Sequence, residues 1–161
     1  MLIKTNCMKY TTRVVWQKNP EQPFIDNRYS RLHKWVFDGG VEWPASSSPQ
    51  VVPTPFSDAS AVDPEEAFVA SISSCHMLFF LSLAATQKFV VERYEDRAEG
   101  VMSKNEGGKM AMTHVVLQPT IVFSAHSIPS AEQIEQLHKL AHEKCYIANS
   151  VKTDITIIPI K

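Results

Sequence analysis

Residues 63–86, DPEEAFVASISSCHMLFFLSLAAT, decide the fold. Asp63 is a capping residue, Pro64 suits the first helical position, and Glu66 stands where the acid of a capping box belongs. Beyond Glu66 almost everything is small or apolar: Ala67, Phe68, Val69, Ala70, Ile72, then Met77, Leu78, Phe79, Phe80, Leu81 and Leu83. A helix that is apolar on nearly every side is either a membrane span or the axis of a core. Ser71, Ser73, Ser74, Cys75 and His76 interrupt the apolar runs, which fall short of the about 20 residues that a span needs. The stretch reads as a buried central helix with a thiol and an imidazole in its middle.

On its N-terminal side, residues 28–38 (RYSRLHKWVFD) alternate as a strand does. Tyr29, Arg31, His33, Trp35 and Phe37 share one face, a mixture that suits the wall of a site. Gly39-Gly40 ends this strand, and residues 11–17 (TTRVVWQ) form an earlier one. Residues 41–62 hold four prolines and read as a long connector, apolar enough through Trp43, Val51, Val52 and Phe56 to lie against something.

On the C-terminal side, residues 89–104 read as one long strand. Residues 105–108 read as a hairpin turn and 109–124 as the partner strand, with Pro119 at a bulge or edge. Ser130, with Gln133 three residues on, caps a second helix. Its buried stripe is Ala131, Ile134, Leu137, Leu140 and Ala141. Residues 151–160 form a last strand. Strands, helix, hairpin, helix and strand make an α+β chain.

At 161 residues, 1–161 reads as a single domain. Sixteen basic against 17 acidic residues give a net charge of −1. That balance excludes partners bound by bulk charge, so neither nucleic acid nor an anionic membrane is expected. Residues 1–12 lack the apolar core of a signal peptide. Three cysteines at irregular spacing do not form a secreted disulfide framework, so a reducing cytoplasmic setting is expected.

Cys75 has two readings: a buried structural thiol that behaves as a small hydrophobe, or a reactive one. The polar turn around it and a second thiol at a helix end, Cys145, favour the reactive reading. His138, His142 and Cys145 share a helical face by spacing. They read either as zinc ligands or as the polar edge of an amphipathic helix. With no clear fourth ligand, no metal is expected. Cys7 carries no role. Glu65 and Glu66 are ordinary first-turn acids by one reading. By the other, a carboxylate holds an arginine that stabilises a thiolate. Glu65 and Cys75 are ten residues apart, about 15 Å along an unbroken helix, so either a long Arg side chain from another element bridges much of that gap or the helix breaks near residues 71–74. Cys75 and His76 diverge by about 100° and do not form a nucleophile–base pair, which leaves a Cys–His hydrolase only a distant His33 or His142.

The stretch PEEAFVASISSCHMLFFLSLAA, with CYIANS at residues 145–150, resembles the signature of the OsmC/Ohr superfamily of thiol-dependent hydroperoxide reductases. The order of elements is similar too. The resemblance implies an intertwined homodimer of antiparallel sheets around a buried central helix. It also implies Cys75 as the peroxidatic thiol, Cys145 as the resolving thiol, and Glu65 as partner of a catalytic arginine. Arg31 is the first candidate for that arginine and Arg28 the second. The Gly-Gly-Arg turn of many members is absent, and His76 after the cysteine is a departure. The implied chemistry runs through a Cys75 sulfenic acid and a Cys75–Cys145 disulfide. No bound cofactor is implied, only an external dithiol reductant such as a lipoylated protein. An apolar channel lined by Phe68, Phe79, Phe80 or the loop residues Trp43 and Phe56 is expected to favour organic hydroperoxides, with Phe80, Trp43 and His76 as the substrate-binding candidates. The alternative on the same fold is a redox-sensing or metal- or ligand-binding protein without efficient turnover.

Overall fold

The computed structural model describes residues 8–160, so Cys7 lies outside the described residues. The chain forms two compact units, residues 1–64 and 65–161.

The first unit holds an antiparallel sheet of β1 (Thr12–Val15), β2 (His33–Phe37) and β3 (Glu42–Ala45), in that order. The strand expected over residues 28–38 is therefore only its second half. Residues 26–32 bond outside any ladder instead: Arg28 N–H donates to Asp26 Oδ1, Leu32 N–H to Ser30 Oγ and Arg31 N–H to Phe56 O, while Asn27 takes a positive φ of 63°. Such short side-chain bonds compete with a strand ladder. Residues 42–45, expected within a long connector, form the edge strand, where Pro44 costs no ladder bond. The chain beyond it closes back, with Ser46 N–H donating to Val62 O and Val62 N–H to Pro44 O. The expected glycine stop is real: Gly40 has φ 82° in the turn between β2 and β3.

The second unit contains nearly all of α1 (Pro64–Thr86), which runs without a break. Ser71 and Ser74 donate back to the carbonyls of Phe68 and Ser71, so these two hydroxyls are satisfied within the helix. The helix ends in a Schellman motif. Lys88 adopts φ 68°, Phe89 N–H reaches Ala84 O, and Lys88 N–H reaches Ala85 O.

The expected long hairpin is bent into two sheets. β4 (Val91–Asp96) pairs with β7 (Pro119–Phe123), while β5 (Glu99–Lys104) pairs with β6 (Met110–Leu117). The breaks fall opposite each other, at Arg97-Ala98 and at Gln118, just before the proline flagged by sequence. Asp96 fixes this corner: Oδ1 accepts from Gln118 N–H at 2.6 Å and Oδ2 from the Ser73 hydroxyl of α1 at 2.5 Å. Asp96→Ala is expected to destabilise the fold by about 2–3 kcal/mol in urea titration, because it strands both donors. A loss under about 0.5 kcal/mol would show that the corner holds without them. Gly100 in β5 serves close approach: a Cβ there would lie 2.5 Å from Val69 Cγ2 of α1.

α2 (Ala131–Lys144) starts with the expected capping box of Ser130 and Gln133. β8 (Asp154–Ile157) runs parallel to β6, which alternation alone did not disclose. Two core clusters follow from the bend. Ile72 of α1 joins Val115 and Leu117 of β6. Phe80 and Ala84 join Leu137 and Ala141 of α2, with Tyr94, Ile121 and Phe123 around them.

α1 buries one stripe, Ile72, His76, Phe80 and Ala84, rather than every side. Leu78 is 62% exposed in the single chain. Helical spacing explains the stripe: each member follows the last by four residues. By length and hydropathy alone α1 is long and apolar enough to cross a membrane. Its stripe is instead occupied by α2 and the sheets, as in a core helix.

Candidate active site

The polar turn of α1 lies between the two core clusters, and there the two thiols come together. Cys75 is half-buried, Cys145 is 1% exposed, and both are unbonded thiols. Cys145 stands at the C-cap of α2 with extended dihedrals (φ −64°, ψ 114°), so its backbone leaves the helix at that residue. The following turn is held by Asn149, whose side-chain amide donates to Glu143 O and Cys145 O, each at 2.9 Å. The Ala148 N–H points at Cys145 Sγ from 3.3 Å. Burial pushes the Cys145 thiol up to about 11, and the neighbouring Cys75 thiol adds to that push.

An aromatic wall stands beside the pair. Phe79, half-buried and one helical turn beyond Cys75, meets Tyr146 edge-on at 5.1 Å between ring centroids. Tyr146 directly follows Cys145 and is 65% exposed. Phe80, expected on a channel wall, is instead fully enclosed between α1 and α2. It lies four residues after His76 and shares that residue's buried face, whereas Phe79 shares the face of Cys75. Of the residues expected on the channel, Phe79 is the one that shares the thiol's face.

His76 is buried as well. Its Nε2 and His138 Nδ1 lie 3.0 Å apart, with the rings parallel to within 4°. One proton is shared along this line, and His76 Nδ1 and His138 Nε2 have no partner among the described residues. Burial, then the neighbouring His138 and His142, lower His76 to about 3; burial lowers His138 to about 4. Both rings are therefore neutral near pH 7. Among the described residues no three His, Cys, Asp or Glu side chains converge as metal ligands. On the face of His138, His142 and Cys145, His138 turns to His76 and Cys145 to the other thiol.

Glu65 sits half-buried in the first turn of the unbroken α1, so it does not touch Cys75. In the first unit, Arg31 Nη1 donates to Asn27 O at 2.7 Å and Tyr29 O at 2.5 Å, and the guanidinium lies 4.0 Å from the Tyr29 ring centroid. Arg31 therefore leaves the strand face predicted for it and clasps its own loop. Arg28 is exposed. His33 Nε2 accepts from Trp35 Nε1 at 3.0 Å, so its Nδ1–H donates to Arg31 O at 2.7 Å. Both nitrogens are engaged, which removes His33 as a general base. Trp43 is 48% exposed on β3, with Phe37 edge-on at 5.4 Å.

Two helices crossing a split hairpin, with a mid-helix thiol beside a helix-end thiol, define a class of α+β proteins with a paired-thiol site. The OsmC-like protein family profile matches residues 57–159, and the chain belongs to that family. An OsmC-like protein of unknown function from Vibrio cholerae is 51% identical, with a TM-score of 0.94, over 96% of this chain and 100% of that one. An organic hydroperoxide resistance protein OsmC from Legionella pneumophila has the same fold at 17% identity (TM-score 0.68; 96% and 100% covered). The organic hydroperoxide resistance protein OhrB of Bacillus subtilis also has it, at 17% (TM-score 0.62; 94% and 98% covered). No curated protein matches the sequence.

Proposed function

We propose that this protein reduces organic hydroperoxides to alcohols with its two thiols. The supporting observation is the meeting of a half-buried Cys75 with a buried Cys145 beside the Phe79–Tyr146 wall. The Cys75 thiolate attacks the distal oxygen of ROOH, the O–O bond breaks, and the alkoxide leaves as ROH on taking a proton. Cys75 is then a sulfenic acid. The Cys145 thiol attacks that sulfur, an S–S bond forms and water departs with the displaced hydroxyl. An external dithiol returns two electrons by exchange. A lipoyl-type dithiol suits this step. The family resemblance assigns charge stabilisation to an arginine partnered by Glu65, with Arg31 and then Arg28 as candidates, and the cycle calls for no resident metal or cofactor.

The thiols require a reducing compartment between turnovers, and the cytoplasm provides one. A homodimer fits the apolar positions that one chain leaves open on α1, Leu78 among them. A redox sensor with the same disulfide is the second reading, favoured by one observation: the Arg31 guanidinium is engaged by its own loop.

The test is consumption of cumene hydroperoxide with a dithiol reductant. Multiple turnovers support the reductase. A single equivalent consumed, with no recycling, supports the sensor. Phe79→Ala is expected to lower the ratio of organic to hydrogen peroxide rates about tenfold, the effect of losing roughly 1–2 kcal/mol of apolar contact. An unchanged ratio removes Phe79 from substrate choice.

A further inference from the structure

The two thiols differ in access and in what surrounds each sulfur, and the difference bears on the direction of the reductive step. This inference rests on the Cys75–Cys145 disulfide of the preceding reading. Exchange requires an attacking thiolate to approach one sulfur along the S–S axis while the other sulfur leaves. Cys75 is half-buried in the middle of α1. Cys145 is 1% exposed, under a turn clamped by two hydrogen bonds from one asparagine side chain.

We propose that the reductant attacks Cys75 and that Cys145 is the leaving sulfur, received by the backbone amide of Ala148 in the clamped turn. The attacking thiolate forms an S–S bond to Cys75 as the Cys75–Cys145 bond breaks. The electron pair of the broken bond goes to Cys145, which then takes a proton. The second thiol of the reductant next attacks its own sulfur in the mixed disulfide and releases Cys75. The dithiol is oxidised by two electrons and both cysteines are reduced.

Two effects oppose each other. Burial raises Cys145 to about 11, and a more basic thiolate leaves more slowly. The amides of Ala148 and Ile147 act against that push, as oriented N–H groups do wherever negative charge develops. Access decides the balance, because a sulfur with no exposed surface offers an attacking thiolate no approach. Asn149 is a positioning residue here: it touches no reactant and holds the turn that carries the amide.

The full-length protein carrying Cys7→Ser is oxidised with diamide, which forms the disulfide without a peroxide. A brief pulse of 2-mercaptoethanol is stopped with acid, and the protein is then denatured and its free thiols alkylated with N-ethylmaleimide near pH 7. Peptide mass spectrometry then locates the adducts. The expected result is mercaptoethanol on Cys75 and maleimide on Cys145 in at least about ten of every eleven trapped molecules, a tenfold preference. Mercaptoethanol on Cys145, or on both equally, overturns the proposal and leaves the reductase reading intact. Failure of diamide to link Cys75 to Cys145 overturns both.

Discussion

Cys75→Ser is expected to bring cumene hydroperoxide consumption down to background, a loss on the order of a thousandfold or more. A serine hydroxyl is not ionised near neutral pH and forms no sulfenic acid, so the first bond of the cycle is never made. Cys145→Ser separates the two steps. One equivalent of peroxide per chain is still consumed rapidly, because that step belongs to Cys75. Steady turnover with dithiol then falls, and excess peroxide drives the unprotected sulfenic acid on to sulfinic acid, seen as a mass gain of two oxygens. Stopped-flow amplitudes and intact mass measure both effects. If Cys75→Ser keeps even a tenth of the wild-type rate, the nucleophile is elsewhere and the proposed cycle is lost.

The second large effect is on stability in acid. The unfolded chain takes up a proton on each histidine near pH 6.5. In the fold, His138 does so only near 4 and His76 near 3, both mainly because of burial. Between these values the unfolded state binds more protons, so stability falls as pH falls. It is fully present above about pH 6.5, and the loss per histidine reaches about 1.4 kcal/mol per pH unit. Urea midpoints from pH 7 to pH 4 are expected to drop steeply in the wild type. The double variant His76→Leu, His138→Leu should lose most of that slope, since it removes both protonation sites and both unpartnered nitrogens. His138→Leu alone should be less stable than wild type at pH 7, because it strands His76 Nε2 in the core. An unchanged slope in the double variant would move the acid sensitivity to other groups.

Short-range signals decided much of the fold. Asp63-Pro64 placed the start of α1, Ser130 and Gln133 placed that of α2, and the 105–108 turn closed the hairpin. Each is a local matter of backbone dihedrals and orphan N–H groups, and needs no knowledge of the rest of the chain. The pairing of the long strands was legible for the same reason. Their break had only Pro119 as a signal, because β4–β5 and β6–β7 alternate alike through the corner that the Asp96 bonds to Gln118 and Ser73 hold.

The candidate site divides in the same way. The sequence by itself determined that a thiol sits in the middle of an apolar helix, that a second closes the next helix, and which side chains share a face with each. Periodicity names the members of a face and is silent on what covers it. Only the tertiary structure decided that His76 meets His138, and that the core covers the face of α1 that carries Phe80. The position of Arg31 was decided there too, since loop carbonyls captured a side chain that strand alternation had pointed elsewhere. The bringing together of Cys75 and Cys145, 70 residues apart in sequence, depends on how α2 lies across α1. Helix crossing is set by the fit of side chains on both surfaces, which neither sequence stretch contains alone.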